Sequence, residues 1–226
     1  MQAHNTALDN AMGEYFVCVD SDDYLATDAL EFFFSKILHK HTDSSYAGII
    51  ARKHLLNSHK NDANKTIDIQ DGALLNIYTL RKKGFTGEVC VFFKTDVLFR
   101  YPFPSFENEK FCIECIVYDK MDMSFKYVYY DKAIQISEYQ EDGYTNNDKL
   151  LLVKNPSGTS EYYKFLYNTR FKNPLKKVKY MALYLAFAKL AKKKNIIFKA
   201  DMPLLAMFSL PLAFVYYKKL IPLTSK

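Results

Sequence analysis

Residues 15–23 read YFVCVDSDD, an uninterrupted apolar run that passes directly into three aspartates and a serine. The first five of these residues show no alternation of apolar and polar side chains, which predicts a strand buried on both faces, as in a parallel sheet. Ligands in α/β sheets bind at the carboxyl ends of such strands. The stretch therefore predicts an α/β fold with a ligand site at Asp20-Ser21-Asp22-Asp23, which we call the acidic segment.

The chemistry of the acidic segment has several interpretations from the residues alone. Carboxylates this close together repel one another unless a cation neutralises them, and a divalent cation there would bridge to phosphate oxygens. An EF-hand loop would use Asp20, Asp22 and Glu31, but Tyr24 and Leu25 stand where it needs a ligand and a glycine. A haloacid dehalogenase-type phosphatase also has D-x-D after a strand, but with Thr or Val in place of Tyr24. The structural interpretation is a polar turn that caps the next helix.

The residues on both sides of the acidic segment resemble family 2 glycosyltransferases of the GT-A fold. Residues 4–15, HNTALDNAMGEY, match the family's short helix and its Ala-x-Gly-Glu-Tyr, with His4 in place of the usual arginine. The apolar strand and the Asp-x-Asp-Asp follow in the family's order. Further short matches lie at residues 93–94, 103–104, 107–111, 127–130 and 138–145. The resemblance spans residues 4–150, and the order of its pieces makes it specific.

This resemblance implies transfer of a sugar from a nucleotide diphosphate sugar to a hydroxyl of a glycan or lipid-linked acceptor. Asp20 and Asp22 would bind Mg²⁺ or Mn²⁺ against the donor diphosphate, where the metal stabilises the leaving group as a Lewis acid. Glu109, or alternatively Glu114, would be the general base that deprotonates the acceptor hydroxyl. The implied substrate contacts are Asn5, Asp20, Ser21, Asp23 and Asp142. By the same resemblance, the product is a cell-surface polysaccharide such as a bacterial capsule.

The family's domain begins with a nucleotide-binding half that residues 1–14 do not supply. We therefore expect residues 15–19 to form an open apolar sheet edge, which is an aggregation hazard unless another strand covers it. The resemblance predicts a truncated or split transferase, or one completed by a second polypeptide chain, with little activity on its own. The alternative is a catalytically inactive relic retained as a membrane-associated interaction module.

The positive charge of the chain is concentrated near its C-terminal end. Residues 171–226 contain 12 lysines and one acidic residue, Asp201, and so carry +11, which leaves −5 for residues 1–170 of the total +6. An acidic body excludes a uniformly basic nucleic-acid-binding domain, and we expect no nucleic-acid partner. The basic tail instead favours contact with an anionic surface.

An uncharged run of 16 residues at 202–217 predicts how that contact is made. It includes Pro203 and Pro211 and is shorter than the about 20 apolar residues that a spanning helix needs. We expect it to lie in the membrane interface, with lysines of residues 171–226 reaching anionic headgroups. The protein would then be cytoplasmic and peripheral to the inner face of the cell membrane. The alternative is a helical hairpin that packs on the domain with its lysines in water.

The predicted architecture is α/β, with an incomplete GT-A, Rossmann-like mixed sheet flanked by helices at residues 1–150 and a helical basic and apolar tail at 151–226. Predicted strands lie at residues 15–19, 46–56, 66–70, 87–94, 125–130 and 133–139, and predicted helices at 5–12, 74–80 and 110–121. Cys112 and Cys115 form a C-x-x-C motif without two further zinc ligands at suitable spacing. This favours core packing in a reducing compartment.

Overall fold

The computed structural model describes residues 2–37, 43–56, 67–138 and 148–224. So far as they are described, the residues form two compact units. The first, which we call the sheet unit, comprises Ala3–Pro102 and Val117–Glu141. The second, the helical unit, comprises Phe103–Ile116 and Asp142–Lys226 together with Met1–Gln2. The predicted domain boundary at residue 150 stays a prediction.

Strands and helices are mixed along the chain. The strands are β1 Tyr15–Val17, β2 Asp23–Leu25, β3 Tyr46–Leu56, β4 Ala73–Leu75, β5 Val89–Lys94 and β6 Lys126–Glu138. The helices are α1 Gln2–Asp9, α2 Ala29–Ile37, α3 Ile77–Lys82, α4 Thr95–Leu98, α5 Cys115–Met121, α6 Asp148–Lys154, α7 Pro156–Thr169, α8 Pro174–Leu190 and α9 Pro203–Leu220, with a 3₁₀ turn at Ile221–Leu223. The predicted mixed α/β class is confirmed.

The strands form one mixed sheet with the order β1-β5-β3-β6-β2, and β4 pairs with β6 beside this path. β3 and β6 run parallel, whereas the other pairings are antiparallel. The first half of β6 pairs with β4 and its second half with β2. The two longest strands therefore form the centre of the sheet, and β1 and β2 form its two edges.

Helix α2 covers one face of the sheet because its apolar residues recur at helical spacing. Ala29 and Phe33 are buried in a cluster with residues of β3, β5 and β6. The Phe33 ring stacks on Phe92 of β5 with 4.2 Å between ring centroids. Within the sheet, the close pairing of β3 with β5 explains Gly48 of β3, which has φ +143° and where a Cβ atom would lie 2.0 Å from the Phe92 carbonyl oxygen. A side chain at residue 48 is therefore incompatible with the packing of β3 against β5.

The expectation of a doubly buried parallel strand at residues 15–19 is wrong. β1 is three residues long, only partly buried, and pairs antiparallel with β5 alone among the described strands. An apolar run does not distinguish a central strand from an edge strand whose exposed side is covered only in part. The expected open edge at this strand is confirmed within the described part of the sheet.

Other element boundaries differ from the predictions for local reasons. The predicted strands at 125–130 and 133–139 are a single strand, β6, with a register shift against β3 between Tyr129 and Ala133. In this interval Asp131 forms an ion pair with Arg52 of β3 at 2.9 Å. The predicted helix at 110–121 begins only at Cys115. Residues 74–80 divide into β4 and α3, with the Asn76 side chain accepting a hydrogen bond from the Thr79 amide at the start of the helix. Residues 67–70, the described part of the strand predicted at 66–70, are not in a strand.

In the helical unit, the predicted helical tail is confirmed as helices α7, α8 and α9. A core formed by Tyr167, Met181, Leu185 and small residues of α9 joins the three helices. Helix α8 begins after Asn173, whose side chain accepts hydrogen bonds from the amides of Leu175 and Lys176. Helix α7 begins with Pro156 at its first position, where its missing N–H costs nothing.

Candidate functional site

The acidic segment crosses from one edge of the sheet to the other. Strand β1 ends at Val17 and β2 begins at Asp23, so six peptide steps, at most about 21 Å, connect the two edges. Four strand spacings in a flat sheet would be about 19 Å, and the segment is shortened by a turn in which the Asp23 amide donates to the Asp20 carbonyl oxygen at 3.0 Å. The sheet must therefore curl to bring its edges together beneath the segment.

Lys53 of β3 lies under this crossing and holds it electrostatically. Its ammonium nitrogen is 2.6 Å from Asp23 Oδ2, 3.4 Å from Glu88 Oε2 and 3.6 Å from Asp20 Oδ2. The Lys53 side chain is only 12% exposed. Although burial lowers the pKa of a lysine, the hydrogen bond that Lys53 donates to Asp23 and the negative charges of Glu88, Asp23 and Asp20 outweigh that effect and raise the pKa of Lys53. Lys53 is therefore a permanent cation at the acidic segment.

Asp23 is the member of the acidic segment that anchors it. Its side chain is 4% exposed, and besides Lys53 it accepts hydrogen bonds from Gln135 Nε2 at 2.7 Å and from the Ser137 hydroxyl. Burial would raise the pKa of Asp23, but the hydrogen bonds from Lys53, Ser137 and Gln135 together hold it below its usual range. Both carboxylate oxygens are engaged inside the protein, so a substrate contact through Asp23 stays a prediction.

Asp20, Ser21 and Asp22 are exposed. The described residues contain no group of three or more His, Cys, Asp or Glu side chains arranged to hold a metal. Mg²⁺, however, is commonly bound by one or two carboxylates together with water and substrate phosphates. The two exposed carboxylates do not form a closed metal cage, and binding of Mg²⁺ or Mn²⁺ there stays a prediction.

Asn5, the other predicted donor contact in the sheet unit, is partly buried in helix α1. The helix is positioned beside β1 by its neighbour His4, whose ring lies 5.2 Å from the Phe16 ring between centroids. Burial lowers the pKa of His4, so the imidazole is neutral near pH 7. His4 thus supplies a neutral ring at the position where the family that the sequence resembles has a positively charged arginine.

Glu109, a predicted general base, caps a helix. Its Oε1 accepts from the Ser157 amide at 2.5 Å and its Oε2 from the Gly158 amide at 2.8 Å, at the first turn of α7. A carboxylate there satisfies amides that have no partner in the helix and interacts favourably with the helix dipole. Asn155 fastens the same loop, since its Oδ1 accepts from the amides of Lys110 and Phe111 at 3.0 Å each. Both Glu109 oxygens therefore have a structural role.

The remaining predicted residues are distributed as follows. Glu114 is exposed just before α5 in the helical unit, and Asp142 lies outside the described residues. Asp20 and Asp23 are brought together with Glu88 around Lys53 in the sheet unit. Sequence reasoning missed Lys53, for which the available signal was a lysine within a strand that is otherwise largely apolar.

The cysteines separate into buried and exposed pairs. Cys90 and Cys112 are buried, Cys18 and Cys115 are exposed, and no disulfide joins any of the four, all of which lie in described residues. Burial raises the pKa of Cys90 to about 12, so this thiol is protonated and unreactive at neutral pH. The predicted core packing of the C-x-x-C motif holds for Cys112 and is wrong for Cys115, which begins helix α5.

A second candidate surface is the C-terminal helix. Within the residues that the structure describes, Pro203–Leu223 is the one helical stretch that passes a length and composition test for crossing a membrane, and most of it is exposed. Cores of water-soluble proteins contain helices that pass the same test, but those are mostly buried.

No protein-family model matches the chain, and no curated protein matches it. Fold and site together define a mixed α/β protein with an acidic segment over a curled sheet and an apolar helix near its C-terminal end. Because no related protein supplies a function, a more specific function can be inferred only from the residues of this chain.

Proposed function

We propose that the sheet unit belongs to a metal-dependent glycosyltransferase of GT-A type and binds the diphosphate of a nucleotide diphosphate sugar at the acidic segment. One observation supports this most directly: Asp23 and Lys53 fix the segment to the sheet, while Asp20 and Asp22 remain exposed. The segment is thereby held in place with Asp22 exposed, and with the Asp20 carboxylate largely exposed although its Oδ2 lies 3.6 Å from the Lys53 ammonium. The order of short matches from residue 4 to residue 150 supports the same class.

The residues have distinct roles in this proposal. Asp20 and Asp22 would hold Mg²⁺ or Mn²⁺, which supplies Lewis-acid stabilisation of the leaving nucleotide diphosphate. Lys53 lowers the local negative charge and so eases the approach of an anionic donor. Of the two predicted glutamates, Glu114 is taken as the general base, because Glu109 accepts two amide hydrogen bonds at the start of α7. The acceptor would be a glycan or a lipid-linked glycan at the cytoplasmic face of a membrane, where the protein is peripheral.

Paramagnetic Mn²⁺ tests the metal role without requiring turnover. In an ¹⁵N-labelled chain with UDP present, substoichiometric Mn²⁺ should broaden the amide signals of residues 20–23 selectively. Asp22→Ala should remove this broadening and leave the fold intact, because Asp23 and Lys53 are untouched. Asp9→Ala, which removes an exposed carboxylate at the end of α1, is the matched control and should change nothing at residues 20–23.

Two results would contradict the proposal: broadening spread evenly over exposed acids, or unchanged broadening in an Asp20→Ala/Asp22→Ala double variant. If the Mn²⁺ probe reports a site, Glu114→Gln should then remove turnover in a completed transferase and Glu109→Gln should not.

The second candidate is a catalytically inactive relic that acts as a membrane-associated interaction module. It is favoured by the capping role of Glu109 and by the charge that Lys53 already supplies to the acidic segment. Failure of the Mn²⁺ probe together with binding to anionic vesicles would select this candidate over the transferase.

A further inference from the structure

Helix α9 buries small side chains and exposes large apolar ones, which is the reverse of the usual arrangement in a water-soluble protein. Its buried residues are small: Ala206, Ser209 and Ala213. Its exposed residues include large apolar side chains, and Phe208 is 81% exposed. Large apolar residues are normally buried in the protein core. Because α9 buries small residues and exposes large apolar ones, its exposed side is suited to contact with an apolar environment.

Most of the exposed apolar residues of α9 lie on one side, with Leu210 beside them. We call this set the outward face; its members, at spacings of three and four residues, are Leu204, Met207, Phe208, Pro211, Phe214 and Val215. Such spacing places side chains on one stripe of a helix. The opposite side packs on α8, and its one buried hydroxyl, Ser209, is satisfied by a hydrogen bond to the Leu205 carbonyl oxygen at 2.7 Å. Small residues at a helix contact are typical of packing in lipid.

Charge around the outward face selects its partner. Lys218 and Lys219 follow the face at the end of the helix, and Lys218 lies over the Phe214 ring, 5.4 Å from its centroid. The single acid of residues 171–226, Asp201, is paired with Lys164 at 3.3 Å. A second copy of the chain would bring two strongly positive segments together and be repelled. An anionic lipid surface complements both the apolar face and the lysines.

Packing on α8 decides between lying on the bilayer and crossing it. The stretch Pro203–Leu223 is long and apolar enough to cross a membrane. Its opposite side, however, packs on α8, and α8 contains Lys176, Lys177, Lys179 and Lys189, which are costly at the centre of a bilayer. While α9 stays on α8, its outward face therefore suits shallow insertion better than crossing.

We propose that the outward face of α9 inserts into the acyl boundary of an anionic bilayer while the opposite side stays packed on α8. This deepens the peripheral location proposed above, on which it rests, and is independent of sugar transfer. The helical unit binds as a folded layer, so α9 does not detach to enter the membrane.

Vesicle flotation of the full chain tests the face. Because of its lysines, we expect the chain to bind vesicles of phosphatidylcholine with 30% phosphatidylglycerol about tenfold more strongly than vesicles of pure phosphatidylcholine. Phe208→Gln/Phe214→Gln keeps the charge and should lower the partition coefficient at least about tenfold. Leu175→Gln removes an equally exposed apolar side chain at the start of α8 and should leave partitioning unchanged. Equal binding of both variants would overturn the assignment of the face while leaving the peripheral location standing, whereas no binding by the parent chain would overturn both.

Tryptophan fluorescence tests whether α9 stays on α8, because the chain contains no tryptophan. Phe208→Trp and Phe214→Trp should shift to the blue on anionic vesicles and be quenched by brominated lipid. Tyr216→Trp, on the side of α9 that packs in the helical core, should respond to neither. Equal quenching at all three positions would show that α9 leaves α8. A blue shift of Phe208→Trp that depends on protein concentration, without vesicles, would show that a second copy covers the face. Either result would overturn the proposal.

Discussion

Replacing Lys53 by methionine tests whether the acidic segment depends on its internal counter-ion. The substitution keeps most of the side-chain length but leaves the buried Asp23 carboxylate without the ammonium 2.6 Å away. Removing one partner of a buried ion pair costs roughly 3–5 kcal/mol. Gln135 and the Ser137 hydroxyl still donate to Asp23, so we expect the lower end, about 3 kcal/mol at pH 7. The weaker contacts of Lys53 with exposed Asp20 and Glu88 add little, because solvent screens them.

The cost should depend on pH with a definite sign. In the parent protein the pKa of Asp23 is lowered, so its contribution to stability is present above the unfolded value of about 3.9 and is lost as pH falls through the folded value. Without Lys53, burial raises that pKa, and protonation relieves the unpaired charge. The difference in unfolding free energy between parent and Lys53→Met should therefore shrink as pH falls from 7 towards about 4.

Urea unfolding at pH 7 and pH 5 measures both effects. Lys132→Met is the matched control, because Lys132 pairs with Asp28 at 2.5 Å but both side chains are substantially exposed, and such pairs contribute at most about 1 kcal/mol. Asp23→Asn added to Lys53→Met should recover part of the loss, since an amide needs no counter-ion. If Lys53→Met is no more destabilising than Lys132→Met at pH 7, the buried pair does not hold the segment.

Two further predictions concern stability. Glu109→Ala should cost about 1–2 kcal/mol through loss of both amide contacts at α7, Glu109→Gln should cost less, and the neighbouring exposed Glu107→Ala should be neutral; equal unfolding midpoints in urea for the two alanine variants would contradict the capping role. Gly48→Ala should destabilise the sheet unit by at least about 3 kcal/mol, since its Cβ would lie 2.0 Å from the Phe92 carbonyl oxygen; circular dichroism on heating measures this, and an unchanged melting temperature would refute the close approach.

Elements with a strong local signal could be predicted from the sequence, and those that depend on distant partners could not. Residues 46–56 were predicted to contain a strand and β3 spans all of them, because an apolar stretch at 46–51 is followed by Arg52-Lys53-His54, Leu55-Leu56 and then a polar segment. The break predicted inside β6 is present only as a register shift against β3 between Tyr129 and Ala133, where Arg52 pairs with Asp131 from 79 residues away. Pair contacts of this kind depend on strand register, which periodicity alone does not supply.

The candidate site shows the same limit. The acidic segment was visible as a motif, but its division into an anchored Asp23 and exposed Asp20 and Asp22 depends on Lys53, 30 residues beyond Asp23 in the sequence. Glu109 lies in an acidic stretch that suggested a base, yet its partners are amides 48 and 49 residues further along. Residue type indicated charge at these positions, and only the tertiary fold determines which charges are used to hold the structure.

The crossing between β1 and β2 also affects the order in which the chain can fold during synthesis. Asp23 and its partner Ser137 are 114 residues apart, which corresponds to about 6–23 s of translation. Until β6 has left the ribosome, β2 has no strand to pair with, and β1 must likewise wait for β5. Residues 15–25 thus emerge before the strands with which they pair, so this apolar run is one of the last parts of the sheet to be secured. A chaperone that binds short apolar segments of nascent chains would find this run available for most of that interval.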